Sequence, residues 1–197
     1  MAWAPPYVDP DELNRFVRVD DTVDDVEAGL AIEAASRAVD AFTGRQFGLV
    51  DTPEARRYTA SLRSGLWVVG IDDLMTSTGL AVTVPAGAIT AYELTPINAA
   101  AMGRPWTRLV VIADSTVQPV GEAYEVTITA RWGWTVVPAA VKQATLLQAS
   151  RFLARRDSPY GIAGSPSDGS ELRLLARVDP DVAVILGPYV RRGFVFA

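Results

Sequence analysis

The chain has no cysteine and no histidine in 197 residues. The first absence excludes disulfides, thiolate metal sites and thiol nucleophiles, and leaves the redox compartment open. The second removes the commonest general base and the commonest metal ligand. Lysine is nearly missing too: Lys142 is the only one, and no serine lies a helical turn away to pair with it. No apolar run is long enough to span a membrane. The longest uncharged stretch, Leu74 to Tyr92, is broken by Thr, Ser, Gly and Pro and alternates like a sheet. The first basic residue, Arg15, follows Pro5, Pro6, Asp9 and Pro10, which is not the pattern of a secretory leader. The expectation is a soluble protein made inside the cell, with no cofactor and no catalytic role.

What is present is apolar. Apolar residues make up 49% and charged residues 21%, with a mean hydropathy of +0.17. That is greasier than an average soluble domain, and subunit interfaces would absorb the excess. The net charge of −5 argues against wrapping a nucleic acid. Its distribution is uneven. Residues 1–48 hold ten acidic and four basic side chains, whereas residues 136–197 hold five and eight. The two ends either neutralise each other within one fold or meet head to tail between neighbouring copies.

Helix signals sit at both ends. Asp9-Pro10-Asp11-Glu12 combines a capping Asp, Pro at the first helical position and the Glu of a capping box, with Leu13, Phe16 and Val17 as the apolar stripe. The preceding residues, Met1 to Val8, read as an extended arm. A second helix is predicted from Asp24 and Asp25 to a stop at Gly44. Val26, Leu30, Ala34, Ala38 and Phe42 are its predicted core stripe, and its many alanines allow close packing. A third starts at Pro138, carries Val141, Leu146, Leu147, Phe152 and Leu153, and ends in Arg151, Arg155 and Arg156, cations that suit a helix C-terminus. Asp157 to Ser170 reads as a mobile loop. Asp179-Pro180-Asp181 begins a last helix that Gly187-Pro188 ends.

Between these the period changes to two. Strands are predicted at Ala55–Thr59, Leu66–Val69, Leu80–Val84, Ala88–Leu94, Leu109–Ile112 and Ala123–Trp132, punctuated by glycine and proline. The fold expected is α+β. A helical bundle domain is formed by both chain ends, 1–48 and 136–197, with an antiparallel β-rich module, 49–135, inserted between them.

No motif carries reaction chemistry. Asp72-Asp73 would point to opposite faces of a strand and so cannot work as an acid/base pair; an Asp-capped turn is the reading preferred here. Asp9/Asp11 and Asp20/Asp21/Asp24/Asp25 lack the Gly and the bidentate Glu of a calcium loop, and caps explain them. Gly161 to Ser165 has no Lys-Ser/Thr following it and is no phosphate loop. Trp132 and Trp134 read as packing at a strand end rather than as a sugar platform. Tyr58, Trp67, Tyr92 and Trp106 are scattered through separate elements. A carbohydrate- or ligand-binding accessory module on the β insertion is therefore the alternative, not the leading, reading.

The order of parts carries a resemblance. It comprises the capped short helix, an Ala-rich helix ending in Thr43-Gly44 and an insertion closing on Arg131-Trp132-Gly133-Trp134. Val137-Pro138, Val141-Lys142-Gln143-Ala144 and Arg155-Arg156-Asp157-Ser158-Pro159-Tyr160-Gly161 follow. This order resembles the head–tail connector (adaptor) proteins of long-tailed double-stranded DNA phages. The resemblance implies a virion neck protein made in the host cytoplasm, a ring usually of twelve copies beneath the portal protein. A tail-side neck or tail-terminator protein docks below, and DNA passes through the lumen without specific binding. It also implies that the C-terminal segment, here Val190, Arg191, Arg192, Gly193, Phe194, Val195, Phe196 and Ala197, reaches the portal. Asp20, Asp21, Asp24, Asp25, Arg151, Arg155 and Arg156 are the candidates for contacts between subunits or with the lumen.

Overall fold

A computed structural model describes residues 4–18, 25–156, 162–163, 172–173 and 179–191. The architecture is α+β, with helices at both ends of the chain and two antiparallel sheets between them. Two compact units form: Gly48–Val136, and Ala4–Phe47 with Val137–Ala197.

In the helical unit, α1 (Pro10–Val17) begins with the predicted capping box. The Asp9 carboxylate accepts from Glu12 N at 2.7 Å, and the Glu12 carboxylate accepts from Asp9 N at 3.1 Å. Residues 6–9 are irregular, as expected of an arm, yet they are not loose. Tyr7 and Val8 are buried, and Tyr7 N donates to Ser36 Oγ at 3.1 Å. The Tyr7 hydroxyl donates to Asp40 and accepts from Phe47 N. Aromatic rings at hydrophobic-core distance hold this joint, with Phe47 edge-on to both Tyr7 and Tyr189.

Helix α2 (Asp25–Thr43) has the predicted extent but not the predicted inner face. Ala28, Ala31, Ile32, Ala35, Ser36, Val39 and Thr43 are buried, whereas Val26, Leu30 and Ala34 point outward. The reason is physical. Glu27, Glu33 and Arg37 flank the expected stripe, so burying it would have stranded three charges. The face actually buried is made of small residues, and its two hydroxyls donate within the helix, Ser36 to Ile32 O and Thr43 to Val39 O. Helix α3 (Ala139–Arg156) packs on α2 through a similarly small seam of Val141, Ala144, Thr145 and Ala149. Leu146, Phe152 and Leu153 pack half-buried around it. Lys142 reaches Glu12 at 2.9 Å, which ties α3 to α1.

Two short strands follow α3, Ile162–Ala163 inside the expected loop and Leu172–Arg173 just beyond it, paired antiparallel. The last helix (α4, Pro180–Leu186) starts as predicted, with Asp179 accepting from Asp181 N at 2.8 Å. A single 3₁₀ turn, Gly187–Tyr189, follows it.

The β unit holds β1 (Glu54–Tyr58), β2 (Ala60–Arg63), β3 (Leu66–Leu74), β4 (Ala81–Val84), β5 (Gly87–Ala88), β6 (Tyr92–Thr95), β7 (Trp106–Val111) and β8 (Val126–Ala130). One sheet runs β1-β8-β4-β5 and the other β2-β3-β7-β6. Val82, Val126 and Ile128 from the first share one core with Val69, Ile71, Leu109 and Val111 from the second. Strand β8 shows the predicted alternation, but it begins only at Val126. Tyr124 is exposed with φ 57°, and Glu125 is buried, accepting from Val120 N and Gly121 N. Strand β3 runs through Asp72 and Asp73, which corrects the expected turn. Each carboxylate has its own partner, so the strand bears two acids without repulsion between them.

Candidate assembly surfaces and their supports

The motif Arg131-Trp132-Gly133-Trp134 is a structural lock. Gly133 sits at φ 111° so close to the incoming chain that a Cβ there would lie 1.8 Å from Gly48 O. Only glycine fits such an approach. Around it the backbone is stitched three times: Gly133 N to Asp73 O at 2.7 Å, Trp134 N to Gly48 O at 2.8 Å and Val50 N to Trp132 O at 2.9 Å. Both indoles are 2% exposed and both donate inward. Trp132 Nε1 reaches Glu54 O, and Trp134 Nε1 reaches the buried carboxylate of Asp73, each at 2.8 Å. Neither ring offers a stacking face to a sugar.

Above Trp132 lies a polar cluster. Arg56 stacks 5.0 Å from the indole centre and pairs with Asp72 at 2.8 Å, where the Tyr58 hydroxyl also donates at 3.0 Å. Burial first, and then the Asp72 charge, push the Tyr58 hydroxyl well above the ordinary phenol range. A phenol held protonated and donating is a structural support, not a base. Among the described residues no group of three or more acids could hold a metal ion, and no helix is long and apolar enough to cross a membrane.

The residues expected at contacts are dispersed. Asp20, Asp21 and Asp24 lie outside the described residues. Asp25 opens α2 and Arg156 closes α3, their side chains also outside. Arg151 pairs with Asp179 at 2.6 Å, which fastens α4 to α3. Arg155 stands half-buried in the last turn of α3. Of the C-terminal segment, Val190 ends the 3₁₀ turn and Arg191 N donates to Thr43 O at 2.7 Å. Residues 192–197 lie outside the described set. The chain is thus led to a fixed point beside the end of α2, where Arg45 Nε also donates to Tyr189 O at 2.7 Å.

The surface missed by periodicity is the outer side of α2. Val26 is 74% and Leu30 64% exposed, and a groove of about 320 Å³ runs beside them between Glu27, Leu30, Ala34, Phe152 and Leu153. On the other flank of α2 a wider cleft of about 650 Å³ opens among Pro6, Pro10, Gly29, Glu33 and Lys142. The signal was in the sequence: charges bracket Val26, Leu30 and Ala34, while hydroxyls and alanines fill the opposite face.

No family profile matches the chain, and no curated protein does. Solved structures do. The whole chain superposes on 96% of a chain from the neck of an empty gene transfer agent particle, computed with C6 symmetry, at a TM-score of 0.59 and 16% identity. The fold is shared with a neck chain. A chain from the virion of a native gene transfer agent particle matches over 91% of this chain and 97% of its own, at a TM-score of 0.51 and 20% identity. At these identities the likeness is one of fold, and it agrees with the resemblance to head–tail connectors carried by the motif order.

Proposed function

We propose that this chain is a structural neck protein of a phage-like particle. Copies of it form a ring between the capsid portal and the tail, and DNA passes through the lumen. The observation that carries this reading is the full-length likeness to a neck chain, helical ends and β insertion together. A ring of twelve is compatible with the six-fold symmetry of that neck. A tail-side neck or terminator protein takes the lower face, and Val190 to Ala197 anchors the ring to the portal. Support for the anchor comes from the fixed start of that segment at Arg191 and from its composition. Arg192 is followed by Phe194, Val195 and Phe196, which suits strand addition to a partner's sheet edge. The net charge of −5 suits a conduit, because a lumen gripping phosphates would resist DNA movement.

The test is to mix the purified chain with portal rings encoded by the same genome and to image the product. A stacked ring of defined stoichiometry is expected. A chain that leaves the portal bare would overturn the reading. Deleting Arg191 to Ala197 is expected to abolish portal docking while leaving the circular dichroism of the chain unchanged. Undiminished docking by the truncated chain removes the anchor.

A further inference from the structure

Residues from both ends of the chain converge on the last two turns of α2. Residues 4–9 arrive from the N-terminal side. Tyr7 N donates to Ser36 Oγ at 3.1 Å, the Tyr7 hydroxyl donates to Asp40, and Arg37 Nη2 donates to Pro5 O at 2.9 Å. The same guanidinium pairs with Asp40 at 3.3 Å and stacks 5.8 Å from the centre of the Tyr7 ring. From the C-terminal side comes the turn Gly187–Tyr189. Arg191 N donates to Thr43 O, and Arg45 Nε donates to Tyr189 O, each at 2.7 Å. Asp40, which holds the arm, and Thr43, which holds the exit of the chain, are about one helical turn apart.

One ring joins the two attachments. Phe47 is fully buried and lies edge-on to Tyr7 at 5.7 Å and to Tyr189 at 5.8 Å between ring centres. Its backbone is tied to the arm as well, because Phe47 N donates to the Tyr7 hydroxyl at 2.9 Å. A shift of Tyr7 therefore reaches Phe47 by ring and by backbone, and Tyr189 rests on Phe47. Close-packed side chains transmit such a shift instead of absorbing it. The arm side of this joint also carries standing costs. Arg37 Nε is buried without a partner among the described residues, and burial raises the Asp40 carboxyl above its usual range. Both costs are relieved when residues 4–9 lift and water enters.

We propose that residues 4–9 are a strap that sets the C-terminal exit: Tyr7, closed on α2, holds Tyr189 and Arg191 in place through Phe47, and lifting the strap frees them. The coupling is a property of a single chain and needs no ring. It runs in both directions, since two sites that share a coupling free energy change each other by the same factor. A partner that grips the arm alters how firmly the residues after Arg191 are aimed, and a partner that grips those residues alters the hold on the arm.

Native-state hydrogen exchange followed by NMR reads the two attachments separately, at the Arg191 amide for the exit and at the Tyr7 amide for the strap. Tyr7→Phe keeps the ring and removes the hydroxyl that accepts from Phe47 N and donates to Asp40. It should speed exchange at Arg191 by roughly tenfold, the worth of one hydrogen bond, while Ala144 and Ala149 in the seam of α3 keep their rates. Tyr189→Leu, at a half-buried position, should in turn speed exchange at Tyr7. In a chain already carrying Tyr189→Leu, Tyr7→Phe should add nothing at Arg191, because the path through Phe47 is cut. An unchanged Arg191 rate in Tyr7→Phe would overturn the proposal. So would an acceleration shared equally by Ala144 and Ala149, which is general loosening, or full additivity in the double variant. If Tyr7→Phe does not fold, Tyr189→Leu decides alone, and an unchanged Tyr7 amide then rejects the strap.

Discussion

The β unit and the helical unit solve the same burial problem in different ways. In the β unit the large side chains go inward: Ile71, Leu74, Leu109, Ile128 and Trp132 fill one core, and polar groups close it at Asp73 and Glu125. Of its exposed apolar residues, Ile97, Met102 and Val120 sit in connections between strands, and Leu62 and Leu66 flank the β2–β3 turn. In the helical unit much of the core seam is alanine, serine and threonine, while Val26 and Leu30 stay outside on α2. A seam of small residues lets helices approach closely but buries little area per residue. One unit hides most of its large side chains, and the other leaves several of its own on the outer side of a helix.

The sharpest way to break this contrast is at the lock of the β unit. Gly133→Ala places a Cβ 1.8 Å from Gly48 O at a positive φ. The expected loss is on the order of 4 kcal/mol or failure to fold, read by urea unfolding. Near-normal stability would mean that the close approach is not required. Trp134→Phe is milder. It keeps the ring but strips the buried Asp73 carboxylate of its indole donor, for a cost of about 1–3 kcal/mol in the same assay.

The helical unit should respond less to comparable changes. Asp9→Ala removes half of the capping box and is expected to cost about 1 kcal/mol by thermal melting. A loss above that of Trp134→Phe would contradict the ranking. The smallest effect concerns pH. The Lys142 ammonium, followed by Asp9 N, holds the Glu12 carboxyl below its ordinary range. Its contribution is therefore present above the unfolded-state pKa and is lost as pH falls through the lower folded-state value. Asp40 acts the other way. Burial raises its pKa, so its contribution is present at low pH and is lost as pH rises through the raised value. Lys142→Met should flatten the acid limb of a stability–pH curve by a few tenths of a kcal/mol, since the Lys142–Glu12 pair is largely solvated. An unchanged limb would place the acid sensitivity elsewhere.

Much of the fold was legible where chemistry is local. Caps at Asp9 and Asp179, the stop at Gly44 and the alternation of Val126, Ile128 and Ala130 follow from rules that act within a few residues. The inner face of α2 was not read correctly, because apolar spacing alone does not say which of two apolar stripes is the core. The charges beside each stripe decide that. The Asp72-Asp73 turn failed for a related reason. A strand accepts adjacent acids only when each face supplies a donor, and Arg56 and Trp134 come from sequence positions far away. Arg151, one of the candidate contact residues, pairs with Asp179 within the chain, a partner that no local rule would name. The tryptophans that carry the connector resemblance hold the β unit shut instead of meeting a partner.

The contact between Gly48 and Gly133 has one more consequence. The chain comes into the β unit and goes out of it at a single point, with the two backbones touching. Everything between them is a closed loop of more than eighty residues, pinned at its base by the hydrogen bonds from Trp134 N to Gly48 O and from Val50 N to Trp132 O. Such an insert can grow, shrink or be exchanged while the ends it returns to the helices stay the same distance apart. The lock thus makes the β unit a replaceable cartridge, and its surface can diversify with little disturbance to the helical chassis that carries it.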